Sequence, residues 1–333
     1  MEPLRIGILG ASRITPEALV VPAGATGARL VAIAARDSDR AQGFAAEHGV
    51  ERVLDSYQAV IDDPEVEAIY NPLPNGLHGP WNIRAMEAGK HVLTEKPSAS
   101  NAGEARAVRE AHLGSGVSFM EAFHYRYHPV MGRMLELAGS GEIGEIEHVE
   151  VVMGFPLTND DDPRWDFDLA GGAMMDLGCY ALHGIRSLGI ATSGEPSVTA
   201  ASAVPRQDDP RVDVELSGDL EYPSGASAHF RSSFALPEMT FTMHLRGTEG
   251  EALAHNFVVS ALDNRITVVS GGESRVEHLG DRSTYTYQLE AFSDHVRNGT
   301  AIPTGSDDAL VQAQLIDACY EAAGLPLRPT ADL

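Results

Sequence analysis

The order of strands and helices in the first 120 residues restricts this chain more than any other feature. Five apolar runs read as strands: LRIGILGA from residue 4, RLVAIAAR from 29, AIYNPLP from 68, HVLTEKP from 91 and VSFMEAF from 117. Helical stretches are expected between them at about 38–48, 56–62, 79–89 and 101–115. Parallel neighbours need a crossover element, so this alternation implies a parallel sheet with helices on both faces.

Beyond residue 145 the texture changes. GEIEHVEVVMGF, VDVELSGDLEYPSGASAHFRSSF, MTFTMHLRGTEGEALAH and NRITVVSG alternate polar and apolar residues, as an antiparallel or mixed sheet with one solvated face does. Helices near 286–298 and 306–323 close the chain. Its 333 residues exceed one ordinary core. The expected class is therefore α/β, with a doubly wound parallel domain over 1–122 and a second α/β domain over 123–333.

A formal net charge of -24 argues against nucleic acid or an anionic membrane as partner, since both require a basic surface. Cys179 and Cys319 match no zinc or redox spacing, so reduced thiols and no metal are expected. MEPLRIGILGAS carries no cleavable apolar core behind a basic cluster, and no run reaches the roughly 18 apolar residues of a membrane span. A cytoplasmic location is the simplest expectation.

RIGILGASRIT puts Gly7 and Gly10 in a strand-to-helix turn, followed by Ala11, Ser12, Arg13 and Ile14. Glycine permits the tight turn, and small residues let backbone N–H groups at a helix start approach a pyrophosphate. The G-x-G-x-x-G pattern is incomplete, and an ordinary glycine turn stays open on this loop alone. After the second strand, Arg36 suits the 2'-phosphate of NADP, whereas Asp37, one position late for a ribose hydroxyl, leaves NAD open. Ligands of open parallel sheets bind beyond the carboxyl ends of the strands. That rule adds Asn71, Pro72, Leu73, Asn75 and His78 after the third strand, and Glu95, Lys96 and Pro97 after the fourth.

GGAMMDLGCYALHGIRSL, from Gly171 to Leu188, is apolar around most of a helix and so expected to be buried. Asp176, Tyr180 and His183 fall at i, i+4 and i+7, one stripe at 3.6 residues per turn. Three such groups are costly to bury together unless a core network or a cleft meets them. A tyrosine can exchange a proton with a carbinol during hydride transfer if a cation favours its phenolate. Lysine is nearly absent: of 24 lysines and arginines only Lys90 and Lys96 are lysine. Guanidinium is effectively never deprotonated, whereas an ammonium can be tuned, which marks Lys96 as that cation or as a proton shuttle.

In this order GILGAS, YNPLPNGLH, AGKHVLTEKP, MEAFHYRYHP and GGAMMDLGCYALH resemble the Gfo/Idh/MocA oxidoreductases over nearly the whole chain. The resemblance implies a Rossmann domain and a second domain with an open, mostly antiparallel sheet that commonly forms a homodimer interface. It implies catalytic roles for Lys96, Asp176 and Tyr180. Tyrosine at 180 is similar to the dihydrodiol and xylose dehydrogenase branch, which tends to use NADP on polyhydroxylated small molecules. Arg126, Trp165, Phe167, Asp176 and His183 become candidate substrate contacts. A glycosidase with transient redox chemistry and a dinucleotide-sensing regulator remain the alternatives.

Overall fold

The computed structural model describes residues 2–331; Met1, Asp332 and Leu333, which the division at 122/123 takes in, lie outside the described residues. Two compact units emerge. One comprises the chain up to Phe123, Tyr285–Val311 and the residues from Thr330; the other comprises His124–Thr284 and Gln312–Pro329. Residues 285–311 thus group with the first unit, although the linear division placed them in the second. Polar contacts account for this: Arg297 pairs with Glu67 at 2.9 Å, and Arg109 pairs with Asp307.

The first unit is built on strands β1 (Arg5–Leu9), β2 (Arg29–Ala34), β3 (Ala68–Asn71), β4 (His91–Thr94) and β5 (Phe119–Glu121). They form a parallel sheet in the order β2-β1-β3-β4-β5. Val53 adds an isolated parallel bridge to Ile33 on the outer side of β2. Counting it as a rudimentary strand gives the order 3-2-1-4-5-6 of the dinucleotide-binding fold, whose direction reverses between β1 and β3. The strand cores are buried, as continuous apolar runs between two helical layers must be. Polar caps fix the helix ends: Asp37, Ser56 and Asn101 accept from the first turns of Ser38–His48, Tyr57–Asp62 and Ala102–Ser115.

The second unit holds β6 (Ile146–Gly154), β7 (Ser197–Pro205), β8 (Asp213–Glu221), β9 (Ser227–Ser233), β10 (Thr240–Gly247), β11 (Gly250–Ala254), β12 (Arg265–Ser270) and β13 (Glu273–His278). Their order is β13-β12-β11-β10-β6-β9-β8-β7, and only the β6–β9 pairing is parallel. The helical stretch 174–187 packs on this sheet through two glycines. A Cβ on Gly178 would stand 3.1 Å from Ser232 Oγ, and one on Gly184 would stand 2.6 Å from Met243 Cε. The sequence reading missed β7, an edge strand of mostly small residues, β13, the short helix Val21–Thr26, and the helix Pro129–Gly139, which opens on a proline and contains Gly132.

His128 caps that helix, its Nδ1 accepting from Val130 N at 3.2 Å. Burial pulls its imidazole down to about 4, opposed by a backbone contact at Arg282. The unfolded chain, with histidine near 6.5, then binds more protons than the folded one between these values, so stability falls as pH drops from about 6.5 to 4. Urea midpoints at pH 7 and pH 5 should differ less in His128→Asn, whose cap keeps an acceptor in acid. An unchanged difference would assign the acid sensitivity to other groups.

Candidate functional site

In the first unit the predicted residues gather at the carboxyl ends of β1 to β4. Gly7 requires a correction: it lies inside β1, not in the turn, and its missing side chain makes room for Val60 of the helix Tyr57–Asp62, 2.6 Å from a hypothetical Cβ. Gly10 makes the turn, with φ +95, its N donating to Ala34 O at 2.7 Å and a hypothetical Cβ 3.1 Å from Leu73 Cδ2. Ala11 is buried and Arg13 exposed, with Ser12 and Ile14 between these extremes. Thr15 N donates to Ser12 O, Ala18 N to Ile14 O, and helical backbone begins at Pro16. The Thr15 hydroxyl is fully buried and has no hydrogen-bond partner among the described residues. A close-approach glycine and an orphaned hydroxyl at a helix start fit a bound phosphate group.

Arg36 and Asp37 follow β2, both exposed. Asp37 is engaged as a helix cap, Oδ1 accepting from Asp39 N and Arg40 N at 3.0 and 3.1 Å. Asn71 ends β3 and is buried, donating to Asn82 Oδ1 at 2.8 Å and to His78 O at 3.2 Å. Pro72 and Leu73 are buried beyond it, and Asn75 opens a short turn into the helix His78–Glu87. The His78 ring nitrogens lie 2.7 Å from Pro97 O and 2.6 Å from Leu73 O, tying the loops after β3 and β4 together. Burial holds its imidazole down at about 4 against the pull of those carbonyls.

In the loop after β4, Glu95 is buried and accepts from Tyr70 OH at 2.8 Å. The Lys96–Pro97 peptide is cis. From Thr94 to Ser100 Lys96 alone is half-buried; its neighbours are buried. Lys90 has a different task, its ammonium donating to Asp63 O and Val66 O, each at 2.8 Å.

In the second unit the stripe rides on a modified helix. Met174–Gly178 has π-helical hydrogen bonding and Cys179–Ser187 is α-helical, so the 3.6-residue spacing does not run unbroken from Asp176 to His183. All three polar groups are buried. Asp176 Oδ2 accepts from Arg164 Nε at 2.7 Å, and this carboxylate holds the guanidinium above its ordinary value. Tyr180 OH lies 3.0 Å from His124 Nε2, and His124 Nδ1 lies 2.7 Å from Thr284 Oγ1. His183 Nδ1 lies 2.7 Å from Tyr125 OH, whose ring centroid is 5.9 Å from that of Tyr180.

Trp165 is half-buried, donating to Asn159 O at 3.0 Å, with the Arg206 guanidinium 4.7 Å above its ring. Phe167 is buried, with the Arg211 and Arg328 guanidinium groups 4.4 and 5.2 Å from its ring centre. Arg126 is half-buried on the turn His124–Tyr127. Sequence reasoning missed His124 and Tyr125. Their signal was positional, because they come just after Ala122 and Phe123 at the end of β5, where ligand-facing loops of a parallel sheet begin.

Cys179 and Cys319 are buried free thiols, and burial pushes Cys319 up to about 12. Among the described residues no helix is long and apolar enough to cross a membrane, and no cluster of three or more histidine, cysteine or acidic side chains suits a metal.

Residues 4–123 match the model of an oxidoreductase family with an NAD-binding Rossmann fold, and residues 131–253 match the GFO/IDH/MocA C-terminal domain. D-xylose 1-dehydrogenase (NADP(+)) 2 of Haloferax volcanii is 36% identical over 96% of this chain and 97% of its own. Trans-1,2-dihydrobenzene-1,2-diol dehydrogenase of Mus musculus is 33% identical over 75% of this chain and 74% of its own. Among solved structures, a 3-ketoreductase from Actinomadura kijaniata in complex with NADP and TDP-benzene superposes with a TM-score of 0.87, at 27% identity, over 96% of this chain and 98% of that one.

Proposed function

Because the chain belongs to the Gfo/Idh/MocA oxidoreductase family, we propose that it is an NADP-preferring dehydrogenase or reductase of polyhydroxylated, sugar-like substrates. The observation that carries this reading is the Tyr180 hydroxyl, held among ionisable partners on a π-modified helix instead of among apolar side chains. Relatives named as a D-xylose dehydrogenase, a dihydrodiol dehydrogenase and a 3-ketoreductase support the substrate class.

Gly10 to Ile14 and Thr15 would hold the pyrophosphate, Arg36 the 2'-phosphate, and the loops of Asn71 to Asn75 and Glu95 to Pro97 the nicotinamide end. His78 acts indirectly, by holding those two loops together. With Asp37 spent as a helix cap, Arg36 is left to discriminate the ribose, which favours NADP. The bound nicotinamide supplies the hydride acceptor or donor. Tyr180 takes the hydroxyl proton of the carbinol on oxidation and returns it on reduction, Lys96 supplies the cation that favours its phenolate, and Asp176, paired with Arg164, orients a substrate hydroxyl. Arg126, Trp165 and His183 complete the substrate contacts. The open sheet of the second unit serves a homodimer.

A panel of aldoses, cyclitols, keto-sugars and trans-dihydrodiols, run with NADP and NAD in parallel, tests the reading through nicotinamide absorbance. Stoichiometric change with NADP is expected. Cofactor binding without turnover would favour a sensor, and turnover without net absorbance change a glycosidase. Arg36→Ala should raise the KM for NADP roughly tenfold to a hundredfold, the worth of a charged hydrogen bond, and leave that for NAD nearly unaltered. Equal effects on both would remove Arg36 from the 2'-phosphate.

A further inference from the structure

We propose that His124 receives the Tyr180 proton, so that the acid/base group of this enzyme is a three-member chain running from Tyr180 through His124 to Thr284. The proposal rests on the reading of Tyr180 as the proton-transferring group and extends it inward, to a residue that never meets substrate. His124 is therefore a positioning residue acting through Tyr180.

The geometry sets His124 apart from the buried imidazole of His78. His78 faces two carbonyl oxygens, which can only accept, so neither of its nitrogens can take a proton from its partner. Both oxygens facing His124 belong to hydroxyls, which can donate or accept: Tyr180 OH 3.0 Å from Nε2 and Thr284 Oγ1 2.7 Å from Nδ1. With the proton on Nδ1 bonded to Thr284, the Nε2 lone pair meets the phenolic hydrogen. After transfer the imidazolium keeps two oxygen acceptors, one for each N–H, so its charge stays bonded although His124 is 1% exposed. The rings of His124 and Tyr180 stand edge to face with centroids 5.7 Å apart, which fixes their mutual orientation.

On oxidation the carbinol carbon loses a hydride, with its electron pair, to the oxidised nicotinamide of the proposed cofactor. The O–H electron pair becomes the carbonyl π bond, the released proton bonds to Tyr180 Oη, and the proton already there passes to His124 Nε2. One positive charge leaves the nicotinamide ring and one arrives on the imidazole, so the net charge is unchanged. Reduction runs the same bonds backwards. Within this unit, the titratable and charged groups near the pair include Tyr125, its ring centroid 5.9 Å from that of Tyr180 and its hydroxyl bonded to His183, Cys179 on the same helix, and Asp176, paired with Arg164. Lys96 joins them on the reading above.

The pH profile of kcat/KM for oxidation, measured on the full chain and on His124→Gln, Thr284→Val and Tyr180→Phe, decides the matter. Glutamine can hydrogen-bond the tyrosine but cannot take up its proton. Its profile should move to higher pH by about one unit or more, with turnover at pH 7 down roughly tenfold and recovered in alkali. Thr284→Val removes the acceptor behind Nδ1 and makes the imidazolium harder to form, so it should lower turnover at pH 7 by less than the glutamine variant and move the acid limb of the profile to lower pH, which keeps the test available if the glutamine variant folds poorly. A drop that is parallel at every pH, or superimposable profiles, would overturn the relay while leaving Tyr180 in place. Undiminished turnover in Tyr180→Phe would instead overturn the reading on which the relay stands.

Discussion

Tyr180→Phe and Lys96→Arg should each lower turnover by about a hundredfold or more, with the dissociation constant of the cofactor within about twofold of the native value. Phenylalanine keeps the ring contacts with His124 and Tyr125 and removes only the hydroxyl, so the expected loss is of proton transfer and not of packing. Arginine at 96 keeps the charge but spreads it over a planar fork that cannot be deprotonated. Lys90→Arg is the matched control. That ammonium donates to two backbone carbonyls and is remote in chemistry from any proposed step, so its variant should lose stability before it loses turnover. Near-native turnover in both Tyr180→Phe and Lys96→Arg would end the assignment of an acid/base pair to this chain. A cofactor dissociation constant raised as far as turnover falls would move Lys96 from chemistry to cofactor binding.

The first unit was readable from sequence because its information is local. Each parallel strand is a continuous apolar run bounded by turn residues, and two helices are announced by a polar cap and closed by glycine: Asp37 and Gly49 bracket Ser38–His48, and Asn101 and Gly116 bracket Ala102–Ser115. Gly7 was misplaced because a glycine serving a turn and a glycine serving a packing contact look alike until Val60, 53 positions on, is seen against it. In the second unit β7 escaped notice because an edge strand with only two valines among alanine, serine, threonine and proline has little alternation to detect. The candidate site divides the same way. Lys96, Asp176 and Tyr180 stood out by composition and spacing, but Tyr180 meets His124, and His124 in turn meets Thr284, positions that no local pattern connects to it.

The same long-range pairing underlies the largest expected effect on stability. Arg328→Met should cost about 3–5 kcal/mol, the usual consequence of stranding one member of a buried ion pair, and lower the melting temperature by roughly 10 °C. Arg328 Nη2 donates to Asp213 Oδ1 at 2.6 Å, with both side chains wholly buried. Its Nε reaches Gly171 O at 2.7 Å, and its guanidinium lies 4.1 Å from the centre of the Tyr320 ring. Asp213 in turn accepts from Tyr320 OH at 3.1 Å and from Met174 N at 2.6 Å, the first residue of the π segment that carries Asp176. Gly172 is held at φ +129 beside them, where a Cβ would fall 2.1 Å from Asp213 Oδ1. Burial raises the Asp213 carboxyl and Arg328 opposes it, so the variant raises it further. An acid raised in the folded state favours folding at low pH and loses that contribution as pH rises, so the deficit should widen from about pH 4 upward. Calorimetry at pH 5 and pH 8 tests both statements; a cost below about 1 kcal/mol, or a deficit that shrinks with rising pH, would show that the pair does not hold the start of the Tyr180 helix.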